Sequence, residues 1–139
     1  MRTAIFPAHF DQLEPIRQFT GQAAKDFGMT EAEIYAVQLA VDEACTNVIE
    51  HAYRGIEKGD IECTCDSDGK EMTILLRDHG RPFDPSTVPA PDLKADLKNR
   101  RVGGLGVYLM RRYMDEVRYE QLGESGNLVT LVKRRKPAK

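Results

Sequence analysis

The spacing of the apolar residues changes near residue 55, and this change limits the folds open to the chain. Before it, apolar residues recur at helical spacing, and the capping box formed by Thr30 and Glu33 opens the longest helix. After it, apolar and polar residues alternate in pairs of runs joined by short glycine-containing turns, a pattern typical of β-hairpins. The predicted elements are strand 2–8, helix 11–27, helix 31–54, strands 60–66 and 71–78, a helix from 103 to about 115, and strands 116–122 and 127–134.

Two helices followed by hairpins predict an α/β (α+β) two-layer sandwich, with a mixed, mostly antiparallel sheet and helices on one face. The 139 residues are enough for one domain, 1–139. No apolar run approaches the ~20 residues of a membrane span, and the start lacks a signal peptide's apolar stretch. A net charge of -2 gives no general attraction to nucleic acid or membranes. Three cysteines without a disulfide framework favour a cytoplasmic setting.

The long helix carries two polar residues beside its apolar stripe. Glu43 and Asn47 are one helical turn apart, so their side chains project on the same side. A carboxylate and an amide in this arrangement suit a site where one group handles a proton and the other ligates Mg²⁺ through its carbonyl oxygen. For a bare E-x-x-x-N pattern, an ordinary solvated helix face is the commoner explanation.

Asp78 ends the second alternating run and is followed by His79 and Gly80. Asp-x-Gly after a strand is often only a turn. A carboxylate at a buried strand end can also accept a hydrogen bond from the exocyclic amine of adenine, and Gly80 would let the ring approach the backbone.

A glycine-rich segment, GGLG at 103–106, opens the third helix. Glycines at a helix start leave backbone amides free to face an anion, although a flexible hinge would have the same composition. No Walker sequence occurs in the chain, and the segment lacks the third glycine and preceding strand of a dinucleotide fingerprint. The stretch 80–102 before it holds four prolines and no regular period, and loops of this length are usually functional.

Together these segments resemble the GHKL superfamily of ATPases and kinases, and most closely its free-standing anti-sigma factor serine/threonine kinases. Residues 41–53, VDEACTNVIEHAY, match the family's N-box, and the DHG at 78–80 matches its G1 box. Residues 103–110, GGLGVYLM, match the G2 box, and GNLVTL at 126–131 resembles the G3 region. The chain departs from the pattern at Pro82, where many relatives have glycine.

The resemblance implies a Bergerat ATP-binding fold that uses ATP and Mg²⁺. Glu43 would be the general base and Asn47 the Mg²⁺ ligand. The implied nucleotide contacts are Asp78, Gly80, Gly103, Gly104, Leu105, Gly106 and Thr130, with Lys98, Arg100 and Arg101 as lid cations near the phosphates. The lid would span about 85–102, and 135–139 would be a basic tail.

Family members differ in what receives the phosphoryl group. No phospho-acceptor histidine on a dimerising helix is found, and nothing after residue 134 could form a transducer domain. The anti-sigma reading therefore implies transfer to a STAS-type anti-anti-sigma protein, with a sigma factor and a homodimer as further partners. The alternative is a nucleotide-dependent binding module that sequesters a sigma factor or another regulator without significant kinase turnover.

Overall fold

The structure, a computed structural model, describes residues 1–56, 58–82 and 110–135. Its strands are β1 (Arg2–Pro7), β2 (Asp60–Ser67), β3 (Glu71–Asp78), β4 (Glu116–Gln121) and β5 (Asn127–Arg134), and its helices are α1 (Leu13–Phe27) and α2 (Glu31–Asn47). Shorter turns are 3₁₀ at Phe10–Gln12 and Gly123–Ser125 and π-helical at Val48–Ala52, and residues 110–113 are helical.

The five strands form one sheet in the order β1-β2-β3-β5-β4. All four strand pairs in the described part of the chain are antiparallel. The predicted hairpins are confirmed: Asp68 holds the β2–β3 turn by accepting hydrogen bonds from the amides of Lys70 at 2.9 Å and Glu71 at 3.0 Å. β5 lies between β3 and β4 although it follows both along the chain.

Both helices pack on one face of the sheet, as the alternation predicts. Alternate residues of β2, β3 and β5 point toward α1 and α2, including Cys63, Ile74 and Leu131, each 0% exposed. They join Val37 and Val41 of α2 in one core. The predicted capping box is present, with the Thr30 amide donating to Glu33 Oε1 at 2.8 Å and the Glu33 amide donating to Thr30 Oγ1 at 3.2 Å.

The long helix differs from its predicted course at the C-terminal end. The α-helix stops at Asn47, and Val48–Ala52 continues it as a π-helical turn. The amide of Tyr53 bonds the carbonyl of Val48 at 3.0 Å, five residues back, which marks the wider turn. Apolar spacing alone does not distinguish these hydrogen-bond patterns, because a single π turn changes the period only locally.

Three further findings concern the body of the protein. The three cysteines are free and buried in the core. In the ranges described above, no helix has the length and apolar character needed to cross a membrane. Arg135, the first residue of the predicted tail, belongs to the folded body: its guanidinium donates to the carbonyl of Phe27 at 3.2 Å and lies 5.6 Å from that ring's centre.

Candidate functional site

The last turns of α2 carry the two polar residues that the sequence singles out. Asn47 is 3% exposed, although it is polar. Its Nδ2 atom is buried and has no hydrogen-bond partner among the described residues. Buried polar atoms are nearly always paired, and an unpaired one calls for a specific cause. A ligand that bonds this carboxamide is such a cause.

Glu43 lies one turn before Asn47 and is half-buried. Its surroundings make the charged carboxylate less favourable. Burial raises the pKa of Glu43, and the negative charges of Asp42 and Glu50 raise this pKa further. The nearby cation Arg17 forms an ion pair with Asp42, at 3.1 Å, instead of with Glu43. A carboxylate whose pKa is raised toward neutrality is a better proton acceptor than an ordinary surface glutamate.

Asp78 stands at the end of β3 and is 2% exposed. Its Oδ1 atom accepts two hydrogen bonds, from the Gly80 amide at 2.9 Å and from Asn127 Nδ2 at 2.9 Å. Burial raises the pKa of Asp78, whereas these two hydrogen bonds act in the opposite direction. Both donors bind the same oxygen. No hydrogen bond to Oδ2 is found within the described residues.

Asn127 is a functional residue that the sequence reasoning missed. It faces Asp78 directly across the β3–β5 pair, and Thr130 instead pairs with Leu75. Since side chains alternate along a strand, Asn127 and Thr130 point to opposite faces of the sheet. Thr130 therefore lies on the face of the sheet opposite to Asp78, whereas Asn127 lies beside Asp78, and the predicted adenine contact of Thr130 stays a prediction. No sequence signal predicted this contact, because β3 and β5 are not joined by a hairpin turn and their register follows from the tertiary pairing.

Gly80 has a steric role that differs from the one expected. A Cβ atom at this residue would lie 2.4 Å from the carbonyl oxygen of Ala52, which also accepts the Arg81 amide at 2.7 Å. Gly80 thus packs closely against the π-helical turn. Its contact with adenine stays a prediction. The neighbouring Tyr53 hydroxyl accepts the His79 amide at 2.9 Å and donates to the Asp60 carbonyl at 2.8 Å.

A cavity joins the two polar groups. Asn47 and Asp78 both line it, and the remaining wall is mainly apolar. Its enclosed space is ≈ 30 Å³, within ≈ 460 Å³ of empty space that includes open solvent. The other lining residues are Ala44, Val48, Ala52, Met110, Arg111, Val117, Tyr119 and Val129. An apolar slot with a few convergent polar groups is the usual chemistry of a small-molecule site.

The remaining predicted contacts lie outside the described residues. They are Gly103, Gly104, Leu105 and Gly106 of the glycine-rich segment and Lys98, Arg100 and Arg101 of the proposed lid. Over the described ranges, no group of three histidine, cysteine or acidic side chains is placed to hold a metal ion.

Comparison with known proteins identifies relatives over most of the chain. A family model described as a histidine kinase-like ATPase domain matches residues 6–133. The serine-protein kinase RsbW of Bacillus subtilis is 33% identical over 132 residues, which cover 91% of this chain and 81% of that protein. The anti-sigma F factor of Clostridium novyi is 31% identical over 107 residues, covering 77% of this chain and 75% of that one.

Solved structures share the fold at lower identity. The RsbU and RsbW domains of a Mycobacterium tuberculosis protein superpose with a TM-score of 0.60 at 15% identity, covering 100% of this chain and 34% of that one. The catalytic domain of the histidine kinase ThkA gives a TM-score of 0.57 at 13% identity, covering 99% and 100%. The sheet with helices on one face is therefore an arrangement that these ATPase domains also have.

Proposed function

The chain belongs to the histidine kinase-like ATPase domain family, and from this premise we propose that it is an ATP-dependent serine/threonine kinase and anti-sigma regulatory factor. Its substrate is a serine or threonine hydroxyl of a small STAS-type anti-anti-sigma protein. The names of the relatives, serine-protein kinase and anti-sigma factor, support this class. The observation that carries the proposal is the cavity lined by both Asp78 and Asn47, whose buried Nδ2 atom has no hydrogen-bond partner among the described residues.

In this proposal Asp78 reads the base. Its Oδ1 atom is held by Asn127 and Gly80, so Oδ2 is the oxygen left to accept the exocyclic amine of adenine. The apolar cavity wall would cover the ring faces. The glycine-rich segment 103–106 and Arg101 would bind the phosphates, and the segment 85–102 would form a lid; these assignments rest on the sequence resemblance.

Asn47 and Glu43 occupy the phosphate side. The residues fit a bound cation: Asn47 Nδ2 has no hydrogen-bond partner among the described residues, and the carboxamide can turn to present its oxygen. Mg²⁺ is commonly held by one or two protein oxygens together with substrate phosphates, where it neutralises phosphate charge.

Glu43 would accept the proton of the acceptor hydroxyl. As the hydroxyl oxygen bonds to the γ-phosphorus, the bond from that phosphorus to the bridging oxygen of ADP breaks. The raised pKa of Glu43 favours this proton transfer near neutral pH.

A second proposal is a binding module that sequesters a sigma factor without significant turnover. The relative named an anti-sigma F factor favours it. The retained carboxylate of Glu43 beside Asn47 favours the kinase, because a module that only binds has no use for a base there.

The distinguishing experiment replaces Glu43 by Gln. This change keeps the side chain's shape and removes its ability to take a proton, so we expect the transfer rate to fall about 10²- to 10⁴-fold with little change in ATP affinity. Phosphorylation of a STAS protein encoded beside the gene is followed by mass spectrometry, and ATP binding by calorimetry. Glu120→Gln is the matched control, since Glu120 is exposed on β4.

Equal transfer rates in the wild type and Glu43→Gln would exclude Glu43 as the base. No transfer by the wild type to any neighbouring STAS protein would favour the binding module instead.

A further inference from the structure

Asn127 is a buried polar residue whose side chain directly contacts the carboxylate of Asp78. It is 4% exposed at the start of β5, directly opposite Asp78. Its Nδ2 atom lies 2.9 Å from Asp78 Oδ1, 3.1 Å from the Gly80 carbonyl and 3.3 Å from the Arg81 carbonyl. One carboxamide nitrogen therefore connects the carboxylate with the backbone that follows it.

The two oxygens of the Asp78 carboxylate differ in their hydrogen bonds. Asn127 and the Gly80 amide both donate to Oδ1, at 2.9 Å each. An ionised carboxylate without such contacts could rotate and exchange its two oxygens. With Oδ1 held on two sides, the carboxylate plane is fixed and Oδ2 is presented in one direction.

The backbone around this contact is also fixed. Gly126, just before Asn127, has φ 88, and a Cβ there would lie 2.2 Å from the carbonyl oxygen of Asp78. A side chain at this residue is excluded both by conformation and by contact. The start of β5 therefore lies close against the end of β3, which places the Asn127 carboxamide within reach of Asp78.

We propose that Asn127 is a positioning residue that orients the Asp78 carboxylate so that Oδ2 accepts the 6-amino group of the nucleotide base. This inference rests on the proposed base reading by Asp78. Asn127 acts through Asp78 and needs no contact with the nucleotide, and its contribution appears as preference for an amino-bearing base.

The contact also has an electrostatic consequence. Burial raises the pKa of Asp78 and the hydrogen bond from Asn127 lowers it, so loss of Asn127 leaves that pKa higher. The nucleotide amine bonds the ionised carboxylate more strongly than the protonated acid. Base preference therefore declines on acidification, and without Asn127 it declines at a higher pH. Among the described residues, the other titratable or charged groups that face Asp78 or its cavity are His79, Tyr53, Arg111 and Tyr119.

The experiment compares ATP with purine riboside triphosphate, which lacks the 6-amino group and carries the same phosphates. Affinities are measured by calorimetry from pH 5.5 to 8.5 for the wild type, Asn127→Leu, Asn127→Ser and Asp78→Asn.

We expect the wild type to prefer ATP by roughly ten- to a hundred-fold at pH 7.5. Asn127→Leu, which has the same branching but a larger side chain and no donor, should reduce the preference to within about threefold and move its acidic midpoint upward. Asn127→Ser, which keeps one hydroxyl donor, should restore part of it.

Each outcome has a distinct meaning. A wild-type preference that persists in Asn127→Leu with the same midpoint overturns the positioning role and leaves base reading by Asp78 intact. A wild type without preference overturns base reading and the positioning role together. If the loss is purely structural, the affinities of Asn127→Leu for both nucleotides fall by the same factor. Asn127→Ser then shows no gain in base preference over Asn127→Leu. That result also overturns the proposal.

Discussion

At the scale of single residues, the site stands out by polar groups whose burial the fold itself does not explain. Asn47 Nδ2 has no hydrogen-bond partner among the described residues, and a buried donor left unpaired costs about 1–3 kcal/mol. Glu43 is likewise held among negative neighbours, with Asp42 and Glu50 both raising its pKa. Such unfavourable features are typical of positions kept for a ligand or a reaction.

The pKa of Glu43 gives a residue-scale prediction for Glu50→Gln. A general base works only when deprotonated, so the transfer rate falls as pH drops through the raised pKa of Glu43. Removing the negative charge of Glu50 lowers this pKa. The acidic limb of the rate profile should therefore move to lower pH, while the rate well above the limb stays unchanged. Rates measured with saturating Mg-ATP from pH 5 to 8 check this.

The same profile of Glu120→Gln provides the comparison, because ATP and the acceptor protein titrate identically in both variants. A limb that stays in place in Glu50→Gln, or moves equally in both variants, would mean that Glu43 does not set it.

At the scale of elements, the site depends on the contact between the π-helical turn Val48–Ala52 and the turn after β3. The Ala52 carbonyl accepts the Arg81 amide, and Gly80 approaches the same carbonyl. π-helical turns are often found at functional sites. Here the turn joins the helix that carries Asn47 to the strand end that carries Asp78.

Gly80→Ala tests this contact. The new Cβ would meet a backbone oxygen at 2.4 Å, which cannot move without displacing the π-helical turn. We expect the free energy of unfolding in urea to fall by about 1–3 kcal/mol and ATP affinity to fall with it.

Gly21→Ala is the matched control. There the nearest atoms to the added Cβ belong to the Gln38 side chain, which can move if its amide gives up the hydrogen bond to the Arg17 carbonyl. This variant should keep wild-type ATP affinity. If both variants behave alike, the contact between Gly80 and Ala52 does not position the site.

The elements were largely predictable from sequence, and the details of the site were not. Strand and helix bounds follow from periodicity and from the Thr30 cap, which are local signals. The choice of Asn127 over Thr130 depends on how β5 pairs with β3, and a change of register by one residue reverses the faces. The π-helical turn depends on a tertiary contact at Ala52, which no local pattern reveals.

At the scale of the whole molecule, the cavity is built from α2, β3, β4, β5 and the helical segment 110–113. A ligand bound there connects elements from both halves of the chain. Because such a ligand binds the folded state and has no comparable site in the unfolded chain, nucleotide binding and stability are linked.

We therefore expect Mg-ATP to raise the thermal midpoint. At a free concentration 100 times the dissociation constant, the stabilisation is about 2.7 kcal/mol. Asn47→Ala should lose the part of this increase that depends on Mg²⁺ and keep the part seen with ATP and a chelator. Scanning calorimetry with Mg-ATP, with ATP and EDTA, and without nucleotide checks this. An equal Mg²⁺-dependent increase in both proteins would remove Asn47 as the metal ligand.

The interior position of β5 has a consequence for synthesis on the ribosome. β3 and β4 both precede β5 along the chain, yet each pairs with β5 rather than with the other. Until β5 has been synthesised and has paired, the sheet lacks one interior strand and β4 has no partner in it. From the time β3 emerges until β5 is in place, the nascent chain exposes the open edge of β3, to which chaperones can bind, and we expect nucleotide affinity only in a late cooperative step.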